Sequence, residues 1–298
     1  MTTQLETVRR FRCFGSHCTV AVAGDGAEHA AEEAEAALLT WHRRFTRFSP
    51  ASELSQLNAD PRGTVPVTPM MARFVQAAVD AARETGGLVD ATLIGALEEA
   101  GYKRDLSGSL PLPIALGLAP ARRPAAPAQR SRWSDVHVDA LANTVSRPPG
   151  LRLDSGGVAK GLFADVIAER LGDFDAFAVD CAGDLRIGGV ERRIDVASPF
   201  DGSTIHSYEL SATGIATSGI GRRSWLDGNA RPAHHLLDPS TGRPAYTGVV
   251  QATALAPTAL EAELRAKCAV LSGPGAAADC LAHGGLIVFD DGTTELFS

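Results

Sequence analysis

Hydrophobic positions along the chain change period several times, and each change predicts an element. From Phe11 to Val22 apolar and polar residues alternate, which predicts one strand with Phe14-Gly15-Ser16 in its middle, where glycine marks a bulge or close approach to a ligand. From Ala27 to Phe45 the period becomes helical, and Ala34, Leu38, Trp41 and Phe45 share one face. The Phe48–Leu54 stretch breaks that pattern and starts a short helix ending near Asn58. A second long helix is predicted from Pro69 to about Glu84, with proline in its first turn and Gly86-Gly87 past its end. Val89-Asp90-Ala91-Thr92 opens a further short helix to about Ala100.

Trp133 to Val145 reads as a hairpin-like pair, and Leu151 and Leu153 as the end of a strand. After Gly161 the spacing of Leu162, Val166, Ile167 and Leu171 is helical. Ala176–Val190 reads as strand, turn at Gly183-Asp184, strand, and the β pattern continues at Arg193–Ala197 and Ser207–Ala216. Thr217 to Arg223 reads as a loop carrying two cations, and His234 to Gly242 as a short strand ending in a turn set by Pro239 and Gly242. Val249–Leu255 is a predicted strand, Pro257–Leu271 and Gly275–His283 are predicted helices, and Leu286–Phe297 is a closing hairpin. Strands and helices mixed without strict alternation predict an α+β fold of two lobes, with mixed or antiparallel sheets flanked by helices. The proline-, alanine- and arginine-rich Gly117–Arg132 segment is the expected boundary, a mobile surface loop with solvated arginines. It separates an N-terminal α+β lobe, 1–116, from a C-terminal lobe, 133–298.

Composition narrows the classes. At 298 residues and 45% hydrophobic content the chain can bury a large core, and its net charge of −7 argues against nucleic acid as a partner. The first residues lack the apolar run of a signal peptide and no stretch reaches transmembrane length, so no membrane partner and a cytoplasmic location are expected. Five cysteines with no CxxC give no zinc pattern and read as small buried hydrophobes.

Candidate chemistry centres on Leu151–Leu171. A strand end, the Asp154-Ser155-Gly156-Gly157 turn and a helix with Lys160 at its start would present backbone N–H groups and one cation to a phosphate. The spacing is neither the dinucleotide fingerprint nor the P-loop. Asp-Ser-Gly-Gly also copies the letters around a serine-protease nucleophile, but a long amphipathic helix follows at once and nothing suggests secretion, so that reading is rejected. Three further polar clusters interrupt apolar patterns. Asp90 with Thr92 could cap a helix or bind a ligand. His235 with Asp238 could orient a turn or supply a general base. Glu263 and Lys267, beside Glu261 and Arg265, sit four apart, as in an ordinary surface ion pair.

Together these stretches resemble the FAD:protein FMN transferase (ApbE-like) family over nearly the whole chain. Phe14-Gly15-Ser16 stands for the family's Met-Gly-Thr, and Ser52-Glu53-Leu54-Ser55-Gln56-Leu57-Asn58 for its SELSxLN segment. Val89-Asp90-Ala91-Thr92 resembles FDPT, Asp154 to Gly161 resembles DLGGIAKG, and Ala182-Gly183-Asp184 resembles GGD. Thr217-Ser218-Gly219 matches TSG, and His235 to Gly242 is similar to HIIDPxTG. The resemblance implies FAD bound between two lobes, Mg²⁺, and transfer of FMN to a Ser or Thr hydroxyl of a target flavoprotein with release of AMP. It would place Phe14, Phe48, Leu88, Val89, Asp90, Asp154, Lys160 and Leu237 around FAD, and make His235, with Lys160, the catalytic pair.

The resemblance also implies a metal site built from the Gly157 carbonyl and a late-helix ADxxxT motif, which falls on Glu263, Ala266 and Lys267. Here Asp is replaced by Glu and Thr by Lys, and an ammonium is no metal ligand. Two outcomes are open. Lys267, held by Glu263, could stand in for the ion, or it could swing out and leave Glu263 to bind a cation. The rival function is an FAD-binding protein whose catalysis is lost or metal-independent.

Overall fold

The computed structural model describes residues 6–104 and 108–298. Its frame is one eight-stranded antiparallel sheet: β1 (Thr7–Cys13), β2 (Ser16–Ala23), β3 (Ala176–Cys181), β4 (Asp184–Gly188), β5 (Gly214–Gly219), β6 (Val249–Ala256), β7 (Gly285–Phe289) and β8 (Thr294–Phe297). These strands lie side by side in chain order, so the sheet is a meander whose connections carry the rest of the protein. The fold is α+β, as the mixed pattern predicts.

The single strand expected over Phe11–Val22 is instead the β1–β2 hairpin. Phe14 and Gly15 both have positive φ (53° and 74°), the twist that a two-residue hairpin turn requires, and Cys13 pairs with Ser16. The same device, with Ala182 and Gly183 at φ 61° and 99°, joins β3 to β4.

The long β2–β3 connection holds helices α1 (Ala27–Phe45), α2 (Glu53–Ala59), α3 (Pro69–Glu84), α4 (Ile94–Glu99), α5 (Leu112–Gly117) and α6 (Ala159–Arg170). Local chemistry sets their starts. Ser52 and Thr68 cap α2 and α3 through their side chains, and Pro69 opens α3. The predicted face of α1 is buried through Ala34, Leu38, Trp41 and Phe45. Helix α6 is covered on nearly every side, Leu162, Phe163, Ala164 and Ile167 included, so it is a core helix.

One core lies between α1, α3, α6 and the β2–β3 end of the sheet. A second lies around β6, β7 and α7 (Ala259–Ser272). Helix α7 belongs to both: Ala259 and Leu264 enter the first, and Ala266, Ala269 and Val270 the second. Segments from 1–116 and from 133–298 therefore share one sheet and one core.

Three expectations are corrected. The Gly275–His283 helix is only a single 3-10 turn, Ala278–Cys280, begun where Ala276 and Ala277 donate to the Gly273 carbonyl. Thr217-Ser218-Gly219 is not loop but the end of β5, where Thr217 and Thr253 hydroxyls pair across the strands at 2.8 Å. The 117–132 segment is tied down rather than free. Arg123 and Ala125 donate backbone bonds to Tyr246 and Leu271, Ala126 donates to the Asp238 carboxylate, and Arg122 pairs with Asp290.

Candidate functional site

The glycine turn is held by side chains rather than by a sheet. Residues 151–154 are extended but are not a strand. Both backbone groups of Leu153 bond the Asn58 carboxamide at 2.7 and 2.8 Å, and the Asp154 N–H donates to the Ala91 carbonyl. Asp154 then organises the turn: Oδ2 accepts the Gly156 N–H at 3.0 Å while Oδ1 lies 3.0 Å from Arg47 Nε. A Cβ on residue 156 would come within 2.9 Å of that same Oδ2, so the turn needs glycine there. Ser155 O accepts from Val158 and Ala159, which starts α6.

Two hollows open on either side of this turn. One, about 190 Å³, is lined by Phe14, Arg47, Phe48, Asp154, Lys160 and Arg223. The other, about 70 Å³, is lined by Leu88, Val89, Asp90, Gly157, His235 and Leu237, with Lys267 at its floor. Gly156 lines both, so the two hollows flank the same turn and together make up the cleft. All the residues expected around a ligand meet here. Larger hollows of about 830 and 510 Å³ elsewhere contain none of them.

The aromatic wall is closely packed. The Phe14 ring stacks on Phe163 at 5.7 Å and meets His42 edge-on at 5.5 Å. Arg47 lies over both the Phe48 and Tyr102 rings, 4.4 and 4.6 Å from their centres, and donates to the Tyr102 carbonyl at 2.6 Å. Phe48 itself stays 39% exposed, leaving a ring face for a ligand.

Asp90 does not cap the helix after it. Its Oδ1 accepts the Thr92 N–H and hydroxyl, both at 2.7 Å, while α4 begins at Ile94 behind Leu93, which makes no side-chain cap bond. Burial raises the Asp90 carboxyl above its ordinary value despite those bonds. His235 is half-buried, with Nδ1 shielded and without a hydrogen-bond partner among the described residues. Burial first, then the charges of Arg223 and Lys267, push it well below the usual imidazole value, so the ring is neutral. Asp238 takes no part with it. That carboxylate holds the turn through Ser240 and Thr241 and accepts from Ala126.

Below the turn lies a closed set of four charges: Lys160, Asp184, Glu263 and Lys267. Lys160 Nζ is bonded to Asp184 and stands 3.7 Å from Glu263 Oε1; Lys267 Nζ donates to that same oxygen at 2.7 Å. Glu263 Oε2 accepts the Gly161 N–H at 2.9 Å, which joins α7 to the start of α6. Glu263 is fully buried and the Lys267 side chain is 7% exposed, so this is no surface ion pair; Glu261 and Arg265 make that one. Burial alone would raise the Glu263 carboxyl, but Lys267 and Lys160 outweigh it and hold it down to about 2. Burial opposes the Lys160 charge as well, and Asp184 with Glu263 keeps its pKa raised. Asp184, buried beside Glu263 and with Oδ1 unpartnered among the described residues, is pushed up to about 7.

This donor set does not fit Mg²⁺. Both Glu263 oxygens are engaged, Ala266 is buried inside α7 where its carbonyl serves the helix, and the position expected to supply a hydroxyl carries an ammonium. Among the described residues no three His, Cys, Asp or Glu side chains converge as a metal site. Lys267 has not swung out; it lies inside the cleft against the turn.

The sequence model of the ApbE family matches residues 14–289, a span that holds every residue of the cleft. The chain belongs to the ApbE family. Two relatives named FAD:protein FMN transferase illustrate the distance. That of Haemophilus influenzae is 26% identical over 261 residues, 79% of this chain and 70% of the relative. That of Salmonella typhimurium is 30% identical over 237 residues, 75% of this chain and 65% of the relative. The fold is similar to the ApbE protein of Thermotoga maritima (TM-score 0.81, 24% identity, 99% of this chain and 97% of that one). It is also similar to the apo form of the Pseudomonas stutzeri flavinyl transferase ApbE (TM-score 0.78, 20% identity, 99% and 95%).

Within this ApbE cleft the sequence reading missed two working side chains. Arg47, which anchors Asp154, was hidden because its partner is far along the chain; its only local signal is its place beside Phe48 in the turn after α1. Asp184 was visible as an acid in an otherwise apolar strand pair, but its pairing with Lys160 depends on how α6 packs on the sheet.

Proposed function

We propose that this chain is an FAD:protein FMN transferase, moving FMN from FAD to a Ser or Thr hydroxyl of a target flavoprotein with release of AMP. What supports the reading is the pair of hollows flanking the glycine turn, which bring an exposed aromatic face, a cation at the helix start and a neutral histidine to the two sides of one turn. Phe14, Phe48, Leu88, Val89 and Leu237 would hold the flat ends of the dinucleotide, and the Gly156-Gly157 turn with Lys160 would face its diphosphate. In the transfer step the acceptor oxygen attacks the FMN phosphorus, and the bond from that phosphorus to the bridging oxygen breaks. AMP leaves with that oxygen, and the hydroxyl proton passes to the His235 imidazole. A diphosphate beside the ring would raise its basicity toward the range a general base needs.

The transferase names of the relatives favour transfer over simple storage of FAD. Mg²⁺ belongs to the family expectation, but no step here is routed through it. No helix among the described residues is long and apolar enough to cross a membrane. The compartment we propose is the cytoplasm, where five thiols stay reduced. Incubation with FAD and an acceptor flavoprotein should release AMP in step with covalent flavin on the acceptor, and His235→Ala should lower the rate by about 10²-fold or more. Flavin transfer unchanged in that variant would remove His235 from the chemistry.

A further inference from the structure

We propose that the Lys267 ammonium is the resident cation of this cleft, so that the chain meets a dinucleotide's diphosphate without a divalent metal. The inference deepens the transferase reading and rests on it for the identity of the diphosphate. Its physical basis is the balance of the buried set. Two ammoniums, Lys160 and Lys267, face two carboxylates, Asp184 and Glu263, and all four are buried or nearly so. With all four groups ionised the set carries no net charge. A divalent ion would add two positive charges where each oxygen of Glu263 already accepts a hydrogen bond, Oε1 from Lys267 and Oε2 from the Gly161 N–H.

Position matters as much as charge. Lys267 lines the smaller hollow with Gly157 and His235, and a Cβ on residue 157 would lie 4.0 Å from Lys267 Cε. The lysine stem therefore runs along the glycine turn, where an incoming diphosphate would lie. Among the described residues Nζ has one hydrogen-bond acceptor, Glu263, so two of its three N–H groups remain for a ligand's oxygens. Burying an ammonium is costly, and an apolar pair of similar volume would suit a purely structural position at least as well. An ammonium at this point supplies one unit of charge and directed hydrogen bonds, but no coordination and no acidified water. Chelators should then leave ligand binding untouched.

The test is a pair of titrations on the whole chain. Electron paramagnetic resonance with Mn²⁺ alone, with no flavin present, reads metal binding directly. Flavin fluorescence then reads FAD affinity in excess EDTA and in millimolar Mg²⁺. The native chain is expected to show no stoichiometric Mn²⁺ site, and FAD affinities within about twofold of each other in the two buffers. A stoichiometric Mn²⁺ site, or FAD binding that collapses in EDTA, overturns the proposal. The double variant Glu263→Asp/Lys267→Thr, checked for folding by circular dichroism, should gain one Mn²⁺ site. It should also bind FAD about tenfold tighter with Mg²⁺ than with EDTA. A folded double variant that gains neither counts against the proposal, and if it does not fold the native titrations decide alone. No FAD binding in either buffer, together with no Mn²⁺ site, would leave metal exclusion standing and remove the transferase reading.

Discussion

His234 shows how much one side chain's surroundings decide. It is 1% exposed, accepts the Leu236 N–H on Nδ1 at 3.3 Å and packs edge-on against Tyr246 at 4.8 Å. Burial lowers its pKa to about 3, so the folded chain refuses a proton that the unfolded chain takes up below about 6.5. Its contribution is complete above that value and is lost as pH falls toward 3, at up to about 1.4 kcal/mol per pH unit. Asp90, Asp165, Asp180 and Asp184, all raised by burial, act in the opposite sense over part of that range. Comparison with His234→Gln isolates the histidine. Urea unfolding between pH 7.5 and 5 should show the native chain losing about 2 kcal/mol more than the variant. Equal losses would mean that His234 is protonated in the fold. At this scale the sequence showed which residues gather at the turn, because glycines, an acid and a lysine stand close together along the chain. It could not show that His235 works apart from Asp238, nor that Glu263 and Lys267 are buried, because burial is set by partners distant in the chain.

Elements with strong local signals were legible almost to the residue. Helices α1 and α3 each carry a single apolar face, α3 adds a first-turn proline and glycines past its end, and both are found where the pattern put them. Weak periodicity misled elsewhere. Leu151 and Leu153 alternate like a strand, yet the Leu151 N–H donates to the Pro148 carbonyl and both backbone groups of Leu153 bond the Asn58 side chain. Alanine-rich Gly275–His283 has helical composition but winds only one turn. The contact of α6 with α7 is the element pairing on which the cleft depends. A Cβ on Gly161 would come within 2.7 Å of the Ala259 carbonyl oxygen and the Leu260 Cα. Gly161→Ala should therefore force the helices apart, cost about 1–3 kcal/mol of stability in denaturant titration, and weaken FAD binding by loosening the Gly161–Glu263 bond. A fully stable variant would show that the helices can separate freely.

The whole molecule is a meander sheet whose two longest-range tasks fall on its connections: the β2–β3 connection builds the glycine turn and, with Phe14 of the β1–β2 turn, the aromatic wall, and α7 brings Glu263 and Lys267 beneath them. The α+β class follows from patterns in the sequence, and the set of cleft residues from the resemblance to the ApbE family. The charge balance under the turn does not, since it needs α6, α7 and β4 packed together before Lys160, Asp184, Glu263 and Lys267 meet. The most direct measurement is a crystal structure of the chain with FAD, grown in the presence of Mg²⁺. The diphosphate is expected over Gly156-Gly157 within hydrogen-bond reach of Lys267 Nζ, the flavin and adenine on either side of the turn, and no metal at Glu263. FAD bound away from that turn, or an ion ligated by Glu263 with Lys267 displaced, would contradict the account.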